Sequence, residues 1–174
     1  MVKRISVIGN SGCGKSTLSR QLAQAIRAPH HELDELYWGP DWTATPREGF
    51  RRTVGELVRE ESWVVDGNYA DLARDLIWAR ADLVVWLDYS FLLCAWNIIR
   101  RTISRRGQLL WNGNRETWRD TIFSSDSLLA FAARTHLSRR KQNLEDMLNH
   151  PKVRGLRFCH PSETQEWMNT AWAR

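Results

Sequence analysis

The chain contains no apolar run that approaches the ~18 residues a membrane span needs. It is also poor in cysteine. Cys13, Cys94 and Cys159 are odd in number, widely spaced and without a C-x-x-C or matching histidine pattern. That pattern indicates neither a disulfide framework nor a zinc site, and reads as buried or incidental free thiols. The N-terminal MVKRISVIG lacks the apolar stretch and cleavage site of a signal peptide, so a cytoplasmic protein with no membrane partner is expected. No internal repeat, low-complexity tract or interdomain linker interrupts the chain. Lysine is scarce, with Arg outnumbering Lys 21 to 4. Arginine suits bidentate phosphate contacts, and a GC-rich genome gives the same bias.

What is present has the balance of a globular domain. The 174 residues are 43% hydrophobic and 26% charged, which fits one domain over residues 1–174 with a sizeable core. Ten tryptophans supply large apolar surfaces, most of them expected inside. Trp63, Trp78, Trp86 and Trp96 lie in strongly apolar segments and are read as core. The net charge of +5 is uneven: residues 30–66 carry nine acids against four arginines, and residues 98–141 carry ten basic residues against three acids.

Strand and helix patterns alternate along the chain. Lys3–Ile8 reads as a strand, and Lys15–Arg27 as a helix with Leu18, Leu22 and Ile26 at helical spacing. His30–Leu33 is a second short strand. Thr45-Pro46-Arg47-Glu48 has the form of a capping box, which starts a helix through about Glu61. Trp63–Gly67 is a strand ending in a turn, Ala70–Ala79 a short helix, and Leu83–Leu87 the most strand-like run. Ser90 caps a helix through Arg106. Residues 108–125 are polar and turn-rich, Ser127–Asn149 a long helix, and Val153–Cys159 a weaker strand. A last helix has Ser162 as N-cap and Gln165 completing its box. Apolar strands separated by helices predict an α/β fold with a parallel sheet covered on both faces.

Gly9-Asn10-Ser11-Gly12-Cys13-Gly14-Lys15-Ser16-Thr17 fits G-x-x-x-x-G-K-[ST], between a strand and a helix. Glycines let backbone N–H groups curl around an anion, and the helix N-terminus adds its positive end. Lys15 is placed to reach β and γ phosphates, and the Ser16 hydroxyl to ligate Mg²⁺. Such a loop serves kinases, GTPases and ATPases alike. No N-K-x-D for guanine occurs, and the chain is short for most ATPase machines. A small nucleotide-dependent phosphotransferase is favoured by elimination.

GNSGCGKST, LDELYWGPDW followed by TPREGF, WVVDGNY, VVWLDY and IIRRTISRRG together resemble the adenylate-kinase-like branch of P-loop kinases. More closely, they resemble small bacterial kinase-like proteins labelled DNA topology modulation proteins. The likeness covers roughly residues 3–106, and beyond that is mostly layout. It implies a three-layer P-loop NTPase fold with a five-stranded parallel sheet in the order 2-3-1-4-5 and a helical lid over about 105–128. It implies ATP and Mg²⁺ as cofactors. Asp66 matches the Asp that ends the third strand and orders the waters around Mg²⁺, and a carboxylate there lies beside the phosphate loop. Asn68 and Tyr69 replace the Phe-Pro-Arg of adenylate kinases, so an AMP-binding arginine is missing. Arg101 and Arg105 share a helix face and match the arginine pair before the lid, which clamps transferring phosphates. Arg139 and Arg140 are candidates for its return side. Asp88 either supports the site from behind its direct contacts or, the favoured reading, caps the next helix, and His160 and Pro161 lie where adenine-contacting loops occur.

Asp34 lies nineteen residues after Lys15. In shikimate-kinase-like relatives an Asp at that spacing contacts the acceptor hydroxyl, and an acid two residues earlier, here Glu32, sits near Mg²⁺. Residues two apart on a strand point the same way, so both carboxylates are expected to face the phosphate loop. Tyr37, Trp38 and Trp42 form either an aromatic wall of an acceptor pocket or an edge cluster that packs the loop down. Asn68 and Tyr69 complete the expected acceptor side. The reading is a phosphotransferase with a small-molecule acceptor, either a nucleoside, a nucleotide or another hydroxylated metabolite. The alternatives are a nucleotide-gated regulator with little turnover and a nucleic-acid-associated protein. The last rests on a pI of 9.5 and basic segments, without a helix-turn-helix, zinc or RNP signature. Acceptor identity, purine selectivity and oligomeric state stay open at this level.

Overall fold

A computed structural model describes residues 2–104, 111–114 and 127–172. Its five strands form one sheet in the order β2-β3-β1-β4-β5, every pairing parallel. The strands are β1 (Arg4–Gly9), β2 (His30–Glu32), β3 (Trp63–Asp66), β4 (Leu83–Leu87) and β5 (Arg154–Phe158). The helices are α1 (Lys15–Ile26), α2 (Leu33–Tyr37), α3 (Arg47–Leu57), α4 (Ala70–Trp78), α5 (Phe91–Ser104), α6 (Leu128–Asn149) and α7 (Pro161–Ala171). Short 3-10 turns lie at Pro40–Trp42 and Trp111–Gly113.

The apolar strands bury both faces, because alternate residues enter opposite cores. Trp63 and Val65 of β3 and Val84 and Trp86 of β4 join Phe50, Val54 and Ile77 on one side. Val64 of β3 and Leu83, Val85 and Leu87 of β4 meet Leu18 and Leu22 of α1 on the other. Trp63, Trp78 and Trp86 are fully enclosed. Trp96 is not core: it stands 62% exposed on α5. Cys94 and Ile98 form the buried face of that helix, and Trp96 lies off it.

Several element ends differ from the pattern reading. The second strand stops at Glu32, because Leu33 turns into the core and starts α2. Gly67 admits it: a Cβ there would come within 2.8 Å of the Leu33 Cβ. The Thr45 box does not form. The Thr45 hydroxyl donates to the Leu36 carbonyl instead, at 3.2 Å, and Pro46 occupies the N-cap place. That helix ends at Leu57. The last helix starts earlier than Ser162, with Pro161 at its first position and His160 as N-cap. Glu163 closes this box by accepting from the His160 and Cys159 N–H groups at 3.2 and 2.7 Å. Pro161 suits a first helical turn, where an N–H would have no partner. Ser127 caps α6, accepting from the Ala130 N–H at 3.2 Å.

Candidate functional site

The phosphate-type loop joins β1 to α1. Gly9, Gly12 and Gly14 all have positive φ, and two of them sit against walls. A Cβ on Gly12 would approach the Cys94 carbonyl oxygen to 2.3 Å, and one on Gly9 the Leu87 carbonyl oxygen to 2.6 Å. Any larger residue would push the loop off α5 and β4. Asn97 of α5 holds it from that side, its Nδ2 donating to the Gly12 carbonyl at 2.9 Å. Asn68 holds it from the other, accepting the Gly9 N–H at 3.2 Å. The Lys15 ammonium donates to the Asn10 carbonyl at 3.1 Å, folded back over its own loop. Ser11 is half-buried and Thr17 exposed. Burial pushes the thiols of Cys13 and Cys94 up, the latter to about 12.

Asp66 ends β3 under this loop. The Ser16 hydroxyl donates to its Oδ1 at 3.3 Å, and His30 Nε2 lies 2.7 Å from its Oδ2. Glu32 is opposite Asp66 in the register and is ion-paired with Arg20 of α1 at 2.6 Å. One ligand atom each of His30, Glu32 and Asp66 fall within 4.8 Å of one another. With the Ser16 hydroxyl beside them, these donors fit a small divalent cation, which needs hard oxygen ligands and room for its own waters.

Asp34 does not sit on β2 with Glu32. It lies in the first turn of α2, and the expected alternation of two strand carboxylates fails because the strand is too short. Its partner is Tyr69, whose hydroxyl donates to Asp34 Oδ1 at 2.6 Å. Burial, then the Asp34 charge, push the Tyr69 phenol far above its ordinary pKa, so it stays a donor. Tyr37 packs between Phe50 and Tyr69, with ring centroids 5.3 and 4.9 Å away. It is the inner end of an aromatic row that continues through Trp38 to Trp42. Residues 37–45 fold back as a tight loop, Thr45 N–H donating to the Tyr37 carbonyl at 2.8 Å. Asn112 and Asn114 fasten it: Asn112 donates to the Trp38 carbonyl at 2.7 Å and Asn114 to that of Gly39 at 2.9 Å.

The basic residues divide. Arg139 of α6 lies 4.7 Å over the Phe131 ring. Burial draws its pKa down, with the nearby Asp34 and Tyr69 acting the other way, so it belongs to the Asp34 side. Arg140 and Arg157 both donate to Asp88, at 3.0 Å for Arg140. Asp88 is therefore a buried ion-pair centre, and the cap of α5 is Ser90, which accepts the Leu93 N–H at 3.4 Å. Arg101 is half-buried in the last turn of α5. Arg105, and with it most of the expected lid over 105–128, lies outside the described residues. His160 and Pro161 begin α7 beyond β5.

Pattern reading missed five contacts. His30 beside Asp66 was detectable, since it lies two residues from Glu32 and shares its strand face. Asn97, Asn112 and Asn114 had no local signal, because their partners are distant in the chain. His136, whose Nδ1 lies 2.7 Å from Asn10 Nδ2, ties α6 to the phosphate-type loop in the same way.

No family model matches the chain. A curated relative, the uncharacterized protein YqaC of Bacillus subtilis (strain 168), is 33% identical over 89 residues. The match spans about half of each protein, 50% of this chain and 49% of that one. Solved structures resemble it over nearly its whole length. A gluconokinase from Sinorhizobium meliloti 1021 has a TM-score of 0.57 at 22% identity, covering 98% of this chain and 90% of that one. A shikimate kinase from Acinetobacter baumannii in complex with shikimate gives 0.57 at 17%, covering 98% and 93%. A sugar kinase from Janibacter sp. HTCC2649 gives 0.54 at 16%, covering 99% and 94%. With the strand order 2-3-1-4-5, these establish the three-layer fold of P-loop kinases.

Proposed function

We propose that the chain is an ATP- and Mg²⁺-dependent phosphotransferase that moves a γ-phosphoryl group to a hydroxyl or phosphate of a small molecule. The observation that carries this reading is the Ser16–Asp66 contact at 3.3 Å. It joins the phosphate-type loop to a strand-end carboxylate at the edge where open α/β sheets bind ligands. Backbone N–H groups of Gly9–Gly14 would cradle the phosphates, and Lys15 would leave the Asn10 carbonyl to neutralise their charge. Ser16, Asp66 and Glu32 would hold Mg²⁺. When bound, that ion offsets the phosphate charge. Asp34 would take the proton of an acceptor hydroxyl, oriented by the Tyr69 phenol. Asn68, Trp38, Trp42 and Tyr37 would border the acceptor, and Arg101 and Arg105 would clamp the moving group.

Gluconokinase and shikimate kinase, by their names, act on small hydroxylated acids, which supports a small-molecule acceptor of that general size. The finer resemblance to the bacterial DNA topology modulation proteins adds the same kinase layout. Among the described residues no helix is long and apolar enough to cross a membrane, and an ATP-consuming reaction suits the cytoplasm. Screening ADP release over nucleosides, nucleotides and small hydroxy compounds is the test. At least one acceptor should stimulate release, and Lys15→Ala should abolish it with the fold intact. Full turnover by a folded Lys15→Ala protein would overturn the proposal.

A further inference from the structure

The turns at Pro40–Trp42 and Trp111–Gly113 clasp each other, although the bonded positions are 72 and 75 residues apart. Asp41 and Trp42 both hold left-handed backbone, with φ of 54° and 55°. A side chain with a Cβ disfavours that conformation, so two such residues in succession need support from outside their own turn. Asn114 supplies it from a position only 4% exposed. Its Oδ1 accepts the Trp42 N–H at 3.0 Å, and its Nδ2 donates to the Gly39 carbonyl at 2.9 Å. A carboxamide carries donor and acceptor together, and each end is paired here, so its burial leaves neither unsatisfied. The clasp acts on the aromatic row. Trp42 meets Trp38 with ring centroids 6.0 Å apart, Trp38 meets Tyr37 at 4.9 Å, and Tyr37 meets Tyr69 at 4.9 Å. Tyr69 is the donor to Asp34.

We propose that Asn114 is a positioning residue for the phosphoryl acceptor. It holds Gly39 and Trp42 in one geometry, and so fixes the aromatic wall beside Asp34 on which acceptor affinity depends. The inference rests on the reading above in taking residues 37–42 as the acceptor border. Two arguments support it. First, hydrogen bonds are directional. Apolar packing alone would let the loop slide, whereas an amide pinned at both Gly39 and Trp42 allows one register. Second, non-glycine residues in left-handed backbone persist where their surroundings over-determine them, and they concentrate at sites that hold ligands. The competing account is a clasp that only adds stability to the fold as a whole.

Asn114→Asp keeps the shape and the acceptor toward Trp42, but sets a carboxylate oxygen against the Gly39 carbonyl. Asn114→Ala removes both contacts. The full chain is assayed with the acceptor that most stimulates ADP release, alongside titration of a non-hydrolysable ATP analogue and hydrogen exchange. Each variant should raise the acceptor KM about tenfold or more, with kcat changed less than KM and analogue affinity unchanged. Exchange should rise in residues 37–45 and stay slow in β1, β3 and β4. Circular dichroism checks the fold, and the Ala variant carries the test if the Asp variant does not fold. If the unsubstituted chain is stimulated but a folded variant keeps its acceptor KM, this proposal alone is overturned. An equal loss of analogue affinity, or exchange raised throughout the sheet, overturns it as well, because the amide then serves general stability. If no acceptor stimulates the unsubstituted chain, the phosphotransferase reading falls, and the acceptor role of Asn114 with it.

Discussion

Tyr69 and Asp34 share a short contact on the proposed acceptor side, 2.6 Å between hydroxyl and carboxylate. A hydrogen bond to a charged group contributes about 1.5–3 kcal/mol, which corresponds to roughly 10–100-fold in rate if it acts only at the transition state. Tyr69→Phe keeps the ring packing against Tyr37 and Phe50 and removes that donor alone. It is expected to lower acceptor-dependent kcat by about tenfold or more with ATP affinity unchanged, measured by steady-state kinetics and nucleotide titration. Asp34→Asn should do the same more severely. An equal fall in ATP binding would move both residues to the nucleotide site. Asp34 was singled out by its distance to Lys15. Its environment was not legible, because Tyr69 comes from thirty-five residues away and nothing local marks the pair.

At the scale of elements, Asp88 ties three of them together. It directly follows β4, is 2% exposed at its side chain, and accepts from Arg140 of α6 and Arg157 of β5. Arg157 also lies 4.7 Å over the Trp86 ring. Asp88→Asn leaves the shape and removes the charge. Both arginines are part-exposed and can turn to water, so the expected loss is about 1–3 kcal/mol, below that of a fully buried pair. Chemical denaturation reads the loss, and hydrogen exchange should rise selectively in α6 and β5. Uniform exchange across the sheet would mean that Asp88 ties nothing in particular. The elements themselves were largely legible: β4 matches its apolar run residue for residue, and Ser127 caps α6 as its sequence suggests. The ends that shifted did so through distant contacts. Thr45 turns its hydroxyl to Leu36, and Leu33 leaves its strand for the pocket that Gly67 provides.

For the whole molecule, the net charge of +5 attracts any polyanion, and Arg139 and Arg140 lie on the same helix. Arg140, however, is paired with Asp88, and Arg139 is largely buried over the Phe131 ring, so neither is a free phosphate contact of the kind duplex binding uses. Association with DNA is therefore expected to be weak and to vanish by about 200 mM salt, as counterion release predicts. Fluorescence anisotropy against duplex length and salt is the measurement. Binding that persists at that salt and falls with Arg139→Ala would restore nucleic acid as a partner. Local sequence determined the sheet's strands, the phosphate-type loop and the helix that follows it, because apolar alternation and glycine placement act within a few residues of themselves. Tertiary structure alone decided which carboxylates and imidazoles meet. The parallel register of β2 on β3 set His30 against Asp66, and the fold brought Tyr69, at the N-cap of α4, against Asp34 of α2. Such pairings depend on segments far apart in the chain, and only the closed sheet brings them within bonding distance.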